Sequence, residues 1–191
     1  MKKIITLFER NRGDWLVSSD VVPGAEWVIE GKGVATRKYD GTCCMVRDGV
    51  VYKRHEVKKG KTPPEGFEPA CEVDPVTGKQ QGWIAIGDGP EDQWHRQASR
   101  RDPLGRRIRD GTYELCGPKI QGNPEPEKPD SHWLIPHGHT VLEPAPRTFE
   151  ELRTYFAEHD IEGIVWHHPD GRMVKIKGRD FGINRTQTKG N

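Results

Sequence analysis

The sequence has little that would place it in a membrane, a secretory pathway or a repeat architecture. Its longest apolar runs extend over only a few residues, which is too short for a membrane-spanning helix. The apolar stretch after Lys2 and Lys3 is also too short for a signal peptide, so we expect a cytoplasmic protein without a membrane partner. No internal repeat or long low-complexity segment occurs in the 191 residues, and this length suits one domain or one domain with a small appendage.

Cysteine is scarce, and its spacing excludes the usual cysteine-based scaffolds. The four cysteines contain no Cys-x-x-Cys pair: they are Cys43, Cys44, Cys71 and Cys116. This pattern fits neither a zinc ribbon nor a secreted disulfide framework, and it favours reduced thiols in a cytosolic protein. Three histidines, His132, His137 and His139, have no cysteine near them in the sequence. Neighbouring prolines indicate a loop there, which favours a loop feature over a zinc site.

The chain also lacks a dominant charge, because 30 basic and 29 acidic residues give a formal net charge of +1. Basic residues are nevertheless clustered in two segments. They are Arg96, Arg100, Arg101, Arg106, Arg107 and Arg109 in the first, and Lys175, Lys177, Arg179, Arg185 and Lys189 in the second. Such clusters suit a polyanion that is bound locally, and clustered arginines equally suit a solvated helix face.

The elements that are present predict an α+β fold. Asp48-Gly49 between two β-branched runs predicts a hairpin of strands 42–47 and 50–55. The other predicted strands are 25–30, 34–38, 82–87, 111–116, 132–135, 162–166 and 172–177. Helices are predicted over 90–101 and, after a Thr148–Glu151 capping box, up to residues 159–160. The predicted elements do not alternate between strand and helix as in a parallel α/β fold, so we expect antiparallel sheets with a few flanking helices. We expect one domain, residues 1–191.

Four short motifs occur in order, each on a predicted strand or strand end. They are Lys38-Tyr39-Asp40-Gly41, Thr112-Tyr113-Glu114-Leu115, Glu162-Gly163-Ile164-Val165 and Val174-Lys175-Ile176-Lys177. This set resembles motifs I, III, IV and V of the covalent nucleotidyltransferases, which include polynucleotide ligases and mRNA capping enzymes. The resemblance spans roughly residues 34–178, and residues 114–124 are further similar to compact ATP-dependent 5′–3′ RNA ligases. It implies the ATP-grasp-like nucleotidyltransferase fold of ligases.

Lys38 is the residue to which this resemblance assigns the chemistry. It implies that Lys38 attacks the α-phosphate of a nucleoside triphosphate. A lysine with its ordinary pKa of about 10.4 is protonated and inert, so it needs neighbouring cations and a metal. Lys175 and Lys177 alternate with apolar residues, which places both on one face of a strand, where they could meet a triphosphate. The alternative is an edge strand that lysines protect against aggregation.

The resemblance also implies roles for the remaining motif residues. Glu162 would help to hold Mg²⁺ or Mn²⁺, and Glu114 would accept hydrogen bonds from ribose hydroxyls. Asp40 would orient Lys38 or the waters of the metal, or it would cap the turn with Gly41, which allows a close approach of the backbone. Arg54 resembles the arginine that contacts ribose or phosphate.

The contact to the base is the weakest part of the match. Arg37 departs from the ligases that carry Glu at this position, so the resemblance does not assign an adenine contact to this side chain. Trp133 is the candidate for stacking on the base, with Leu134 and His137 as alternatives, and the pattern favours an ordinary core tryptophan over a stacking role.

The resemblance predicts an ATP-dependent RNA ligase that joins 5′-phosphate and 3′-hydroxyl ends, as in RNA repair, through a lysyl-AMP intermediate. Only 14 residues follow Lys177, so we expect no OB-fold domain of the kind that DNA ligases and capping enzymes carry. ATP, Mg²⁺ or Mn²⁺, and RNA are the expected ligands, and no obligate protein partner is evident. The alternatives are a GTP-dependent capping guanylyltransferase and a non-catalytic RNA-binding module of the same fold.

Overall fold

Two main β-sheets organise the chain in the computed structural model, which describes residues 4–100, 108–125 and 130–185. Each belongs to one of two structural units. We call Asp40–His137 the central unit, and Lys3–Tyr39 with Gly138–Lys189 the terminal unit. The prediction of a single domain over residues 1–191 stays a prediction.

Twelve strands and three α-helices are formed by the described residues. The strands are β1 (Ile5–Thr6), β2 (Phe8–Arg10), β3 (Val17–Val21), β4 (Val34–Lys38), β5 (Thr42–Arg47), β6 (Val50–Val57), β7 (Glu68–Pro69), β8 (Gln80–Ala85), β9 (Gly111–Cys116), β10 (Trp133–Pro136), β11 (Gly163–His167) and β12 (Met173–Lys177). The helices are α1 (Glu26–Ile29), α2 (Gln93–Ala98) and α3 (Phe149–Glu158). Short 3₁₀ turns cover Pro90–Asp92 and Gly178–Phe181.

The terminal unit is built on a four-stranded sheet in the order β1-β12-β11-β4, together with the hairpin β2-β3. Strands β4, β11 and β12 are antiparallel neighbours, and β1 is parallel to β12. Its core is apolar and includes Phe8, Trp166, Ile176 and the α3 residues Leu152 and Phe156. The predicted capping box starts α3: Thr148 Oγ1 accepts from the Glu151 N–H, and Glu151 accepts from the Thr148 N–H.

The central unit is built on a six-stranded sheet in the order β10-β9-β5-β6-β8-β7, in which every neighbouring pair is antiparallel. Cys44 and Leu115 lie on one of its faces and are completely buried, with Leu134, Trp94 and Ala98 packed around them. Cys44 is part of this core, and its burial raises the pKa of the thiol.

The structure confirms the predicted α+β class with antiparallel sheets and few helices. Strands 34–38, 42–47 and 111–116 have the predicted bounds. Asp48 and Gly49 form the two-residue turn between β5 and β6, and both have positive φ angles, 53° and 78°. This is the type I′ geometry that an Asp-Gly pair favours.

Several predicted elements were wrong in type or extent. The strand predicted over residues 25–30 is instead the short helix α1 (Glu26–Ile29), in which the adjacent Trp27 and Val28 are both buried, whereas neighbouring strand residues point to opposite faces. The helix predicted over 90–101 is a 3₁₀ turn followed by α2, which ends at Ala98. The parallel pairing of β1 with β12 was not predicted. Within the described residues, no helix is long and apolar enough to cross a membrane.

Candidate active site

Lys38 is the last residue of β4, and the register of the terminal sheet places it in line with a second motif lysine. Gly163 of β11 pairs with Lys38 on one side and with Lys177 of β12 on the other. Residues directly opposite each other on neighbouring strands share one face, so the two lysines flank a position without a side chain. A Cβ at Gly163 would lie 2.3 Å from the Ile176 carbonyl oxygen, so this position requires glycine.

Glu162 binds both lysines. Lys38 Nζ donates to its Oε2, and Lys177 Nζ donates to its Oε1. The carboxylate is buried, which disfavours its charged form, but the attraction of Lys38 and Lys177 and their hydrogen bonds hold the pKa of Glu162 below its ordinary value. Glu162 precedes β11 by one residue and so lies just outside the strand in which the sequence placed it.

Lys175 is the third cation of this site. Burial and the nearby charges of Lys177 and Lys38 lower the pKa of Lys175 to about 8. Its neighbours on β12, Val174 and Ile176, are buried on the other face, as the alternation in the sequence predicted. Strand β12 lies between β1 and β11, so the alternative that these lysines protect a sheet edge is wrong.

Replacement of Lys175 by Met should stabilise the protein at pH 7, because the native fold holds this lysine charged at a cost. With a folded pKa of about 8 and an ordinary value of 10.5, the unfolded chain binds more protons between these values. Wild-type stability should therefore rise with pH across this window, and the advantage of Lys175→Met should shrink. Urea unfolding at pH 7, 9 and 10.5 measures this difference. A Lys175→Met protein less stable than wild type at pH 7 would contradict it.

The charged cluster also includes Arg10 and Asp180, which the sequence analysis did not indicate. Arg10 Nη2 lies 2.7 Å from Asp180 Oδ1, and Asp180 Oδ2 accepts from the Lys177 N–H at 3.0 Å. Arg10 adds to the charge that lowers the pKa of Lys175. Among these described residues, four cations face two carboxylates, so the cluster carries excess positive charge. Such a cluster suits an anion. The Arg10–Asp180 pair could not be predicted from the sequence, because the two residues are 170 positions apart.

The central unit holds the end of the Lys-x-Asp-Gly motif through two buried carboxylates. The Gly41 N–H donates to Glu114 Oε1 at 3.2 Å, and the Asp40 N–H donates to Glu125 Oε1 at 3.0 Å. Glu125 is completely buried, although the sequence placed it in a loop without a role. The two carboxylates therefore define the path of the backbone directly after the motif lysine and its neighbour Tyr39.

Replacement of Gly41 by Ala should destabilise the central unit by displacing this backbone. A Cβ at Gly41 would lie 2.2 Å from the Leu115 carbonyl oxygen, a contact with backbone that cannot rotate away. We expect a loss of about 1–3 kcal/mol in the free energy of unfolding, the usual cost of overpacking. Urea denaturation measures it. Gly87→Ala is the matched control, since its Cβ would meet its nearest atom at 3.9 Å, and equal losses in both variants would contradict the argument.

The structure gathers the predicted residues into two sets, one in each unit. Lys38, Glu162, Lys175 and Lys177 cluster in the terminal unit, and Asp40, Gly41 and Glu114 are connected in the central unit. Arg54 also lies in the central unit.

The other candidates have partners of their own. Arg54 Nε donates to Gln81 Oε1 at 3.0 Å, and its guanidinium lies 5.8 Å from the centre of the Trp83 ring. Arg37 lies over the ring of Tyr39, at 4.4 Å. Trp133, the candidate for base stacking, is the first residue of β10 and is partly buried.

The two basic segments are only partly described by the structure. Arg96 donates to the backbone oxygens of Gly87 and Gly89, so it stabilises a local turn. Residues 101, 106, 107 and 189 lie outside the described residues. Binding of a nucleic-acid backbone by the arginine segment stays a prediction.

Comparisons with known proteins point in the same direction as these motifs. The family model described as RNA ligase 1 matches residues 100–189, which include Glu114, Glu162, Lys175 and Lys177 but not Lys38. RNA ligase 1 of Mus musculus is 26% identical over 220 aligned positions, covering 78% of this chain and 67% of the mouse protein. RNA ligase 1 of Danio rerio is 35% identical over 79 positions, covering 38% of this chain and 24% of its own length.

RNA ligase 1 of Rattus norvegicus is 25% identical, with the same coverage of both chains as the mouse protein. The agreement extends beyond the separate motifs, since the mouse and rat alignments cover 78% of the chain. The chain is therefore a relative of the RNA ligase 1 proteins, which confirms the resemblance to RNA ligases that its motifs predicted.

Proposed function

We propose that this protein is an ATP-dependent RNA ligase that uses Lys38 as a covalent nucleophile. The observation that carries the proposal is the arrangement around Glu162: one carboxylate holds Lys38 and Lys177 while Lys175 lies close enough to repel both. A lysine surrounded by further cations and without an anionic ligand is costly to keep charged. A triphosphate would neutralise this cluster and relieve that cost.

The proposed reaction has three phosphoryl-group transfers. Lys38 Nζ, after losing its proton, attacks the α-phosphorus of ATP, so that a P–N bond forms and pyrophosphate leaves. The 5′-phosphate of an RNA strand then attacks the same phosphorus, which breaks the P–N bond and gives an adenylylated 5′ end. A 3′-hydroxyl finally attacks the 5′-phosphorus, which joins the strands and releases AMP. The leaving groups are pyrophosphate, the Lys38 amine, which regains its proton, and AMP, and aligned positive charge stabilises the charge that develops on the phosphate oxygens in each step.

The resemblance implies the roles of the other residues in this proposal. Lys175 and Lys177 would bind the phosphates, and their charge would favour the neutral, nucleophilic form of Lys38. Glu114 would accept hydrogen bonds from the ribose, and Arg54 would contact the ribose or a phosphate. Gly41 keeps the backbone after Lys38 in place through its contact with Glu114.

A divalent metal fits the carboxylate of Glu162 chemically, because Mg²⁺ and Mn²⁺ prefer oxygen ligands. Both Glu162 oxygens accept lysine donors here, so metal binding would follow the transfer of those lysines to phosphate. When bound, the metal would supply charge neutralisation at the α-phosphate. Asp40 remains the second residue predicted to contribute to it.

Intact-protein mass spectrometry tests the proposal most directly. Purified protein is incubated with Mg²⁺ and either ATP or GTP, and a mass increase equal to AMP is expected with ATP alone. A GMP adduct would indicate a capping-type guanylyltransferase, and no adduct with either nucleotide would indicate a non-catalytic RNA-binding module. Protein that forms the adduct is then given nicked, single-stranded and stem-loop RNA with 5′-phosphate and 3′-hydroxyl ends. Joining of RNA but not of matched DNA is expected.

A further inference from the structure

A cysteine, a carboxylate and a histidine meet on one face of the central sheet. They are Cys43, Glu114 and His137, and one ligand atom of each lies within 4.8 Å of the other two. Cys43 is on β5, Glu114 is on β9, and His137 directly follows β10. They contribute sulfur, oxygen and nitrogen ligands that a transition metal can use together.

The register of the sheet explains why residues so far apart in the sequence converge. Cys43 and Glu114 are direct partners in the antiparallel pair β5–β9, so their side chains lie on the same face. Glu114 is also the partner of Ile135 on β10, and His137 lies two residues further along the same side. The chain continues this pairing past β10, since the His137 N–H donates to the Thr112 carbonyl oxygen at 3.0 Å.

We propose that Cys43, Glu114 and His137 form a binding site for a thiophilic divalent metal, with Zn²⁺ as its most suitable occupant. Three protein ligands with sulfur, nitrogen and oxygen atoms satisfy a tetrahedral Zn²⁺ ion and leave one position for water. The Cys43 thiol releases its proton on binding, because the thiolate is the ligand. Mg²⁺ is a hard cation that avoids thiolate ligands, so this site is distinct in its chemistry from the one assigned to the ligase reaction.

The histidine is already oriented as a metal ligand requires. His137 Nδ1 lies 3.0 Å from Thr112 Oγ1, and its Nε2 lies 2.9 Å from Glu114 Oε2. Without a metal, the Nε2–H donates to the Glu114 carboxylate. A metal bound at Nε2 would take the place of that proton, and the ring would then carry its proton on Nδ1 and donate it to Thr112 Oγ1, a kind of partner that commonly orients metal-binding histidines.

The separation of the ligand atoms is close to what a metal needs. With bond lengths of about 2.1 Å, two tetrahedral ligand atoms lie roughly 3.4 Å apart. The His137–Glu114 pair at 2.9 Å therefore has to open by only a few tenths of an ångström, and the Cys43 sulfur lies within 4.8 Å of both other ligand atoms.

Burial is also suited to a bound ion. The Glu114 side chain is 11% exposed and that of His137 is 28% exposed, so the carboxylate is shielded while the histidine leaves a path for the metal to enter. Glu114 is also the residue proposed above to contact ribose, but the metal site does not depend on that role. Its test uses no nucleotide, so the metal site and the ligase function can fail separately.

Cobalt titration of the reduced, metal-free protein tests this site, because Co²⁺ bound to thiolate gives a sulfur-to-metal charge-transfer absorption that other ligands do not give. One equivalent should produce the band in wild type, and added Zn²⁺ should remove it by displacement. Cys43→Ser should lose the band, and His137→Asn should bind Zn²⁺ at least tenfold more weakly by calorimetry. The matched controls Cys71→Ser and His139→Asn should behave as wild type.

Three results would overturn the proposal. They are a wild-type protein without the band, a band of full strength in Cys43→Ser, and displacement of cobalt by millimolar Mg²⁺. The first would show that these residues do not bind the metal and form only the Glu114–His137 hydrogen bond. The second would place the thiolate elsewhere, and the third would show a site without thiolate character. Thermal unfolding of each variant is measured in parallel, so that loss of the fold is distinguished from loss of the ligand.

Discussion

Replacement of Lys38 by Ala is expected to abolish the AMP adduct that ATP leaves on the wild-type protein. The amine is the group that bonds to phosphorus in the proposed reaction, and alanine offers no nucleophile at this position. Glu162 keeps its second lysine, Lys177, so the buried carboxylate remains paired and the variant should still fold. Intact-protein mass spectrometry after incubation with ATP and Mg²⁺ measures the adduct, and its acid lability identifies a P–N bond.

Lys38→Arg is the sharper control, because it preserves the positive charge beside Glu162. A guanidinium stays protonated in proteins and cannot act as the nucleophile, so this variant should also lack the adduct. Adduct formation at the wild-type level in Lys38→Ala would refute the assignment of the nucleophile. Restoration by arginine would show that Lys38 contributes charge alone and that another residue carries the AMP.

Replacement of Glu162 by Gln is expected to lower both the free energy of unfolding and the yield of the AMP adduct. The change leaves Lys38 and Lys177, with Lys175 nearby, without their shared carboxylate. Breaking a buried ion pair from one side commonly costs about 3–5 kcal/mol. The lysine side chains are 21% and 13% exposed, so water relieves part of the cost and the lower end is expected. Urea denaturation at pH 7 measures it.

The difference between wild type and Glu162→Gln should depend on pH in a defined direction. The pKa of Glu162 is lowered in the folded state, so its contribution to stability is complete above the ordinary value of 4.5. The contribution is lost as the pH falls through the folded pKa, because the native carboxylate must then bind a proton. The two proteins should therefore converge in stability as the solution becomes more acidic.

Glu158→Gln is the matched control for this experiment, because Glu158 is an exposed glutamate at the end of α3. Its effect on the free energy of unfolding should stay within about 0.5 kcal/mol, as for surface substitutions in general. If Glu162→Gln is no less stable than this control at pH 7, the carboxylate does not hold the lysines together. Adenylation is measured on both variants under conditions in which each is folded.

Local chemistry in the sequence was enough to predict much of the secondary structure. The Asp48-Gly49 turn, the capping box at Thr148 and the strand that ends at Lys38 all depend on neighbours within a few residues. The order of the four motifs predicted the RNA ligase relationship that the comparisons support. The helix at Glu26–Ile29 was missed because a single turn is too short to show helical periodicity.

Only the tertiary structure decided which of these residues meet. The sequence by itself determined the α+β class, the motif residues and the alternation of Lys175 and Lys177. It could not determine that Glu162 binds both Lys38 and Lys177, since that depends on the pairing of β4, β11 and β12. The sequence also could not predict that Cys43 and His137 lie close together. Strand pairing joins residues by register rather than by distance along the chain, and register is specified by the packing of whole sheet faces.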